Sequence, residues 1–341
     1  MRKRISLLFA ALMLVVSGLA AAQSDMAFQH GRPRPHVTPP KTRFGSDTEA
    51  GTTGVQSTRR LPYQGGPIME TSIVYLIFWE PPTVQNGASA AVPANFNNLM
   101  AQYFVDVNGS ALGRVQTQYW MRRSDGTQAR VQNKVIYGGY YIDRTPYPTG
   151  ACWNRVTGWN CITDAWIQYE IKRAMTAKQW STGPNKIFMV YTGNREGSCY
   201  YTYANGQCAS GTEAYENYCA YHSFFSWGNQ AVIYANMPYA FTICNAVPVS
   251  PHGNKIIDAE LSVTSHEHFE AITDPYPVRA AYGWIDLGEK GGENGDKCAW
   301  NFGSYGSWGN QVMNGHYYIL QQEFSDLDYD AGRTPCVQRL N

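Results

Sequence analysis

The segment 258–275, with the sequence DAELSVTSHEHFEAITDP, decides the fold of this 341-residue chain. Its pattern predicts a helix over about 257–272, which Pro275 ends. On such a helix His266 and Glu270 are four residues apart, so both project from one face about one turn from each other. The helix can therefore form one side of a metal site.

The spacing of His266 and Glu270 is the spacing at which helices with the pattern His-Glu-x-x-His bind zinc. Glu267, next to the first ligand, is then placed as the general base. A carboxylate stands here where that pattern has its second histidine; zinc accepts such a ligand, although the resulting pattern is less specific. The alternative is a solvated polar helix face. His268 points elsewhere on the helix and is predicted to be a hydrogen-bonded structural histidine.

The acidic residues around and after this helix are candidates for further metal ligands. Segment 258–296 holds nine of the 23 acidic residues that follow residue 60, and only two basic residues. Such crowding costs repulsion unless a cation or water relieves it. Glu293 and Asp296 lie in a Gly-rich acidic turn next to Cys298 and are the best candidates for a third ligand. Oxygen ligands alone would suit calcium, which this loop could bind independently, although its spacing is not that of an EF-hand.

Other chemistries have weaker support in the sequence. His222 lies close to Cys219 and could reach the acidic helix, but we expect a buried structural role for it. The chain contains neither Gly-x-Ser-x-Gly nor a Walker-type loop. A glycosidase with two carboxylates stays open as an alternative, because any two acids could converge in the fold.

Buried strands are predicted on both sides of the chain's middle. The segment 68–79, IMETSIVYLIFW, is β-branched and aromatic, and Pro81 and Pro82 close it, which is typical of a buried strand. Further strands are predicted over 186–192 and 230–237, short strand-like segments within 114–142, and helices over 94–106 and 164–180. The Cys- and Tyr-rich stretch 193–229 has no period and predicts a bridged surface excursion. Together these patterns predict a single large α/β or α+β domain over 61–341.

The first 60 residues are predicted to lie outside this domain. Three basic residues, an apolar run and Ala20–Ala22 form the pattern of a signal peptide over 1–22, which predicts a secreted protein, extracellular or periplasmic. An uncleaved membrane anchor is the alternative, but the run is short for a span, so we expect no stable span in the mature protein. Segment 23–60 is rich in Pro, Gly, Ser and Thr and ends in Arg59-Arg60. It predicts a disordered linker or propeptide.

Charge and cysteine content narrow the possible partners and chemistry. Residues 61–341 carry 18 basic and 23 acidic residues, a net charge of −5, which argues against a nucleic-acid partner. All eight cysteines follow residue 150, and an even number in an exported chain predicts disulfides rather than reactive thiols. We expect neighbours to pair, as 152–161, 199–208, 219–244 and 298–336.

Several segments also occur in a recognisable order: YQGGPIMETSIVYLIFW (63–79), KIFMVYTG (186–193), CAYH (219–222), PHGN (251–254) and TSHEHFEAITDP (264–275). In this order they resemble the phosphate-induced protein 1, or EXORDIUM-like, superfamily. The chain is more similar still to secreted microbial proteins with the patterns S-H-E-x-x-E-A-x-T-D-P, W-x-D and E-x-G-D-x-C, which match Ser265–Pro275, Trp284–Asp286 and Glu293–Cys298.

This resemblance covers about residues 63–341, and the chain departs from it by carrying PYPVRAAYG before Trp284. The resemblance implies secretion, a shared fold and a zincin-like metal-site helix. The plant members of the superfamily are extracellular and associated with cell-wall and growth responses, and no catalytic activity is securely attached to them.

Two functions of different classes follow. The first is a secreted zincin-like metalloprotein, a zinc-dependent, peptidase-like hydrolase acting on an extracellular polymer or peptide, with His266, Glu270 and either Glu293 or Asp296 as ligands. The second is a non-enzymatic cell-wall or matrix protein whose acidic region is structural or binds calcium. The adjacent Glu267 favours the enzyme, and the missing second histidine favours the alternative.

Overall fold

The computed structural model describes residues 36–38, 59–150, 152–203, 205–209, 211–240, 242–289 and 291–340. The predicted signal peptide lies outside the described residues, as does most of the predicted linker or propeptide. Among the described helices, none has both the length and the apolar character needed to cross a bilayer.

A six-stranded sheet forms the centre of the fold. Its strands are β1 (His36–Thr38), β2 (Ser72–Trp79), β5 (Val135–Asp143), β8 (Lys186–Thr192), β10 (Ala220–Trp227) and β11 (Gln230–Met237). They lie in the order β1-β10-β11-β8-β2-β5. The four strands β5, β2, β8 and β11 are parallel, whereas β10 runs antiparallel to β11 and β1 runs antiparallel to β10. Residues 36–38 are thus an ordered strand within the segment predicted as a linker.

The remaining strands form small sheets outside the central one. They are β3 (Trp120–Arg122) with β4 (Gln128–Arg130), β6 (Cys152–Asn154) with β7 (Trp159–Thr163) and β9 (Ser198–Cys199), β12 (Gln311–Met313) with β13 (His316–Tyr318), and β14 (Glu323–Phe324) with β15 (Cys336–Val337).

Five α-helices accompany the sheets in the described part of the chain: α1 (Phe96–Asp106), α2 (Ala111–Arg114), α3 (Asp164–Lys178), α4 (Lys255–Thr273) and α5 (Asp326–Asp330). Helix α4 packs against α1 and the sheet strands β1, β10 and β11. Every residue from Ile257 to Thr273 is buried, as expected of a helix enclosed by protein on all sides. The Asn254 side chain caps its first turn by accepting hydrogen bonds from the N–H groups of Ile256 and Ile257.

The mixed α/β class predicted from the sequence is confirmed. The strands predicted over 186–192 and 230–237 have those bounds, and the helix predicted over 257–272 is two residues longer at its start and one at its end. The prediction of a surface excursion over 193–229 is wrong for β10, whose first six residues are buried. Because β10 carries His222 and Ser223 among its aromatic residues, its polar side chains interrupt the apolar run by which buried strands are recognised.

The cysteine prediction is confirmed. The eight cysteines form four disulfides between sequence neighbours, 152–161, 199–208, 219–244 and 298–336, and none is free. The second bridge lies in the aperiodic stretch, the third attaches the start of β10 to the 3-10 helix 242–245, and the fourth attaches the acidic loop after α4 to β15.

Candidate metal centre

Helix α4 directs histidine and acidic side chains into the interior of the protein. The side chains of His266, Glu267, His268 and Glu270 are all fully buried. The Nε2 atom of His266 lies 2.9 Å from Oε1 of Glu270, so this pair shares one helix face as its spacing predicts. A solvated polar face is therefore not what this part of the helix presents.

The loop after α4 returns a second carboxylate to this pair. Asp296 Oδ1 lies 3.3 Å from His266 Nε2, and the Asp296 backbone N–H donates a hydrogen bond of 2.8 Å to Glu270 Oε1. One donor atom from each of His266, Glu270 and Asp296 lies within 4.8 Å of the other two. Asp296 begins a short 3-10 helix that ends at Cys298, and the disulfide from Cys298 to β15 fixes this end of the loop.

Several atoms of these three side chains have no hydrogen-bond partner among the described residues. They are both ring nitrogens of His266, Oε2 of Glu270 and Oδ1 of Asp296. Buried polar atoms of this kind are rare in proteins, and an ion is one explanation. One imidazole nitrogen and two carboxylate oxygens suit zinc, whose ligand atoms lie about 3.3 Å apart in a tetrahedral site. This set of donors is one that zinc accepts.

Gly295 allows the loop to approach this close. A Cβ atom at that position would lie 2.9 Å from Glu270 Oε1 and 3.1 Å from the His266 ring. Any larger residue would therefore displace either the Glu270 carboxylate and the His266 ring or the loop that carries Asp296.

A second group lies on the other side of Glu270. His222, on β10, places Nδ1 at 3.2 Å from Glu267 Oε2 and at 3.8 Å from Glu270 Oε2. Its Nε2 lies 3.1 Å from the backbone carbonyl of Asp274, to which it can only donate. Glu270 thus belongs to both groups, with one oxygen directed to each histidine.

The electrostatics of the second group keep His222 charged in the metal-free protein. Burial lowers the pKa of its ring, but the charges of Glu293, Glu267 and Glu270 outweigh that effect and raise this pKa to about 9. A charged imidazole has two N–H donors, which matches its contacts with Glu267 and with the Asp274 carbonyl. The sequence placed His222 close to Cys219 and within possible reach of the acidic helix, and in the structure it is buried and contacts Glu267 and Glu270 of that helix.

Glu293 lies beside His222 rather than in the group with His266. Its Oε1 is 3.7 Å from His222 Nε2. Burial, together with the charges of Asp274 and Asp296, raises the pKa of Glu293 against the lowering effect of His222. Of the two acids predicted as a third ligand, the structure thus brings Asp296, and not Glu293, to His266.

Glu267 contacts strand β1 as well as His222. The N–H of Thr38 donates to Glu267 Oε1 at 3.0 Å, and the Thr38 hydroxyl donates to the same oxygen at 2.5 Å. Its neighbour His268 faces away from both groups, with Nε2 2.8 Å from the Ser72 hydroxyl. Burial lowers the pKa of His268 to about 3, so it is the neutral structural histidine that its position predicts.

Comparison with family models, with curated proteins and with solved structures finds no match to this chain. The resemblance to the EXORDIUM-like superfamily therefore stays a prediction.

Proposed function

We propose that this chain is a secreted, zincin-like metalloprotein that acts as a zinc-dependent hydrolase. The observation that carries the proposal is the buried group of His266, Glu270 and Asp296, whose side chains converge. Four of their atoms have no hydrogen-bond partner among the described residues, and two of these, His266 Nε2 and Asp296 Oδ1, lie 3.3 Å apart. Zinc held by these residues would supply a Lewis acid that polarises a substrate carbonyl. Secretion is supported by the N-terminal pattern and agrees with the four disulfides.

Residues around the proposed metal ligands provide the general base and hold it in position. Glu267 serves as general base, which requires a carboxylate that can accept a proton and is held in place. The charged ring of His222 donates to Glu267 Oε2, and the Asp274 carbonyl fixes the opposite edge of that ring. Oε1 of Glu267 accepts hydrogen bonds from the N–H and the hydroxyl of Thr38 on β1, so it can take a proton only when these contacts open.

The different-class alternative is a non-enzymatic cell-wall or matrix protein with a structural or calcium-binding acidic region. The observation that favours it is the hydrogen bonding of Thr38 to Glu267, which occupies the oxygen a base would use. The acidic loop itself offers less to calcium than its composition indicates. Lys297 lies 3.3 Å from Asp286 and 2.6 Å from Glu289, so a lysine already pairs with two of its carboxylates.

Metal analysis of the purified full chain, prepared without chelators, tests the proposal. We expect one zinc per chain in the wild type and none in Glu270→Ala, because Glu270 contributes a donor atom to the group. Glu260→Gln is the matched control, since Glu260 lies on the same helix, is equally buried and also has an oxygen without a hydrogen-bond partner among the described residues. It should keep the zinc.

Two outcomes would contradict the proposal in different ways. A zinc-free wild type would remove the enzyme interpretation altogether. Zinc that survives Glu270→Ala would place the metal elsewhere, and His222 would be the next ligand to replace.

A further inference from the structure

Strand β1 is an addition to the edge of the central sheet. It pairs antiparallel with β10 through His36 and His222, Val37 and Tyr221, and Thr38 and Ala220. Pro35 and Pro39 flank it in the sequence, and neither has an N–H to donate to a strand ladder. The described part of the pairing is these three residues, and Thr38 lies 21 positions before the next described residue, Arg59.

The contacts of Thr38 connect this segment to the proposed site. Thr38 is fully buried. Its carbonyl accepts a hydrogen bond of 2.7 Å from the N–H of Cys219, and its own N–H donates to Glu267 Oε1. Two of its three polar contacts thus use the backbone, which every amino acid carries; only the hydroxyl contact with Glu267 depends on the side chain.

We propose that the edge of β10 beside Glu267 is a binding site for a polypeptide in extended conformation, which residues 36–38 occupy in the intact chain. Addition of a strand to an exposed sheet edge is a known mode of peptide recognition, in which main-chain hydrogen bonds give affinity and side-chain contacts give selectivity. The inference rests on the proposed function in taking Glu267 as the reacting group, and it names the substrate class as peptide, with serine or threonine favoured at the Thr38 position.

The covalent connection of residues 36–38 to the rest of the chain determines how a second peptide behaves. A tethered segment competes intramolecularly with any peptide in solution, at an effective concentration set by its linker. A peptide added in solution therefore binds the intact chain weakly, and weakening the hold of Thr38 makes the edge of β10 available to it.

Fluorescence anisotropy with a labelled peptide of residues 33–41, PRPHVTPPK, tests this in the full-length protein. Thr38→Val keeps the shape and the N–H of the residue but loses its hydroxyl, and we expect it to bind the peptide about tenfold more tightly than the wild type does. Thr38→Pro, which loses both donors, should gain at least as much. Thr38→Ser keeps both donors and should bind as weakly as the wild type, and a control peptide with proline in place of threonine should not bind any variant.

The inference would be overturned if the two peptides bound equally well, or if neither Thr38→Val nor Thr38→Pro bound the labelled peptide more tightly than the wild type does. If Thr38→Pro does not fold, Thr38→Val alone still tests it. Zinc content and peptide hydrolysis measured on the same preparations separate this inference from the proposed function. Tighter peptide binding without zinc leaves the peptide site standing and removes the hydrolase. Zinc and hydrolysis without tighter binding remove the peptide site at β10 alone.

Discussion

Glu270 is the residue on which the two buried groups depend. Its Oε1 contacts His266 and accepts from the Asp296 N–H, while its Oε2 faces His222. Burial and the charge of Asp296 raise the pKa of Glu270, although His266 opposes this. A single carboxylate thus couples a proposed ligand group to a histidine that holds the proposed base, so its loss should affect both.

Glu267 is distinguishable from Glu270 by a change that preserves shape. In Glu267→Gln we expect zinc to be retained, because the amide still fills the space and Glu267 lies outside the group with His266. Hydrolysis should fall about 10²–10⁴-fold, the usual effect of removing a general base. Zinc content and the rate against a peptide or glycan panel check both parts, with Glu260→Gln as the buried glutamate that should leave the rate unchanged. An unaltered rate in Glu267→Gln would assign the proton transfer to another group.

The sequence predicts contacts between side chains on one helix, because helix spacing encodes them. It does not specify contacts between the helix and side chains on the strands of the sheet. His266 and Glu270 are four residues apart, so one turn of helix determines their contact. Asp296 follows closely enough for an acidic turn to return it. His222 and Thr38 reach Glu267 from 45 and 229 residues away, and no local pattern encodes such a contact.

Helix α4 and the loop after it act as two halves of the site. The helix is fixed by its burial and by the Asn254 cap, whereas the loop is fixed at one end by the disulfide between Cys298 and Cys336. Sequence patterns located the helix well, because its length and its proline stop are local properties. The close approach of the loop depends on Gly295, which no period marks.

Removing the disulfide from this loop should loosen Asp296 while leaving the helix in place. For Cys298→Ser/Cys336→Ser we expect a loss of about 2–4 kcal/mol in the free energy of unfolding. Zinc affinity should also fall, by about 10–100-fold, as it does when groups that orient a ligand are removed. Denaturant titration and competition with a chelator measure the two effects.

The double variant Cys152→Ser/Cys161→Ser is the matched control, because the disulfide that it removes joins β6 to β7 outside the central sheet. It should lower stability and leave zinc affinity unchanged. Equal zinc affinity in both double variants would mean that Asp296 does not need the disulfide to meet the helix.

Across the whole molecule, the strand order is the feature that the sequence could not supply. Strands β2, β8 and β11 lie side by side and parallel, which local patterns allow but do not specify. The sheet places β10 next to α4 and leaves an edge for β1, so the candidate site is assembled from three distant parts of the chain. The apolar strands were predictable from composition; their neighbours follow only from packing.

The same assembly concentrates buried groups whose pKa values are raised. The pKa values of His222, His266, Glu270 and Glu293 are all raised. A group with a raised pKa binds more protons in the folded state than in the unfolded state, so stability falls as the pH rises. A cation bound at this site would compete with protons for these groups, so its affinity and its contribution to stability would rise over the same range.

The chelator-treated protein should therefore lose stability between pH 6.5 and 9. For His222 the contribution is complete below the unfolded pKa of about 6.5 and is lost as the pH rises through the folded value of about 9. With each pKa unit equivalent to about 1.4 kcal/mol, the loss from this one ring is of order 3 kcal/mol, which corresponds to several degrees in melting temperature. The melting temperature of the zinc-loaded protein should exceed that of the chelator-treated protein by more at pH 8.5 than at pH 6.5. Calorimetry of both forms measures these melting temperatures. In His222→Gln we expect the melting temperature of the chelator-treated protein to depend less on pH. A melting temperature of the chelator-treated wild type that rises with pH would show that the site does not hold protons in place of a cation.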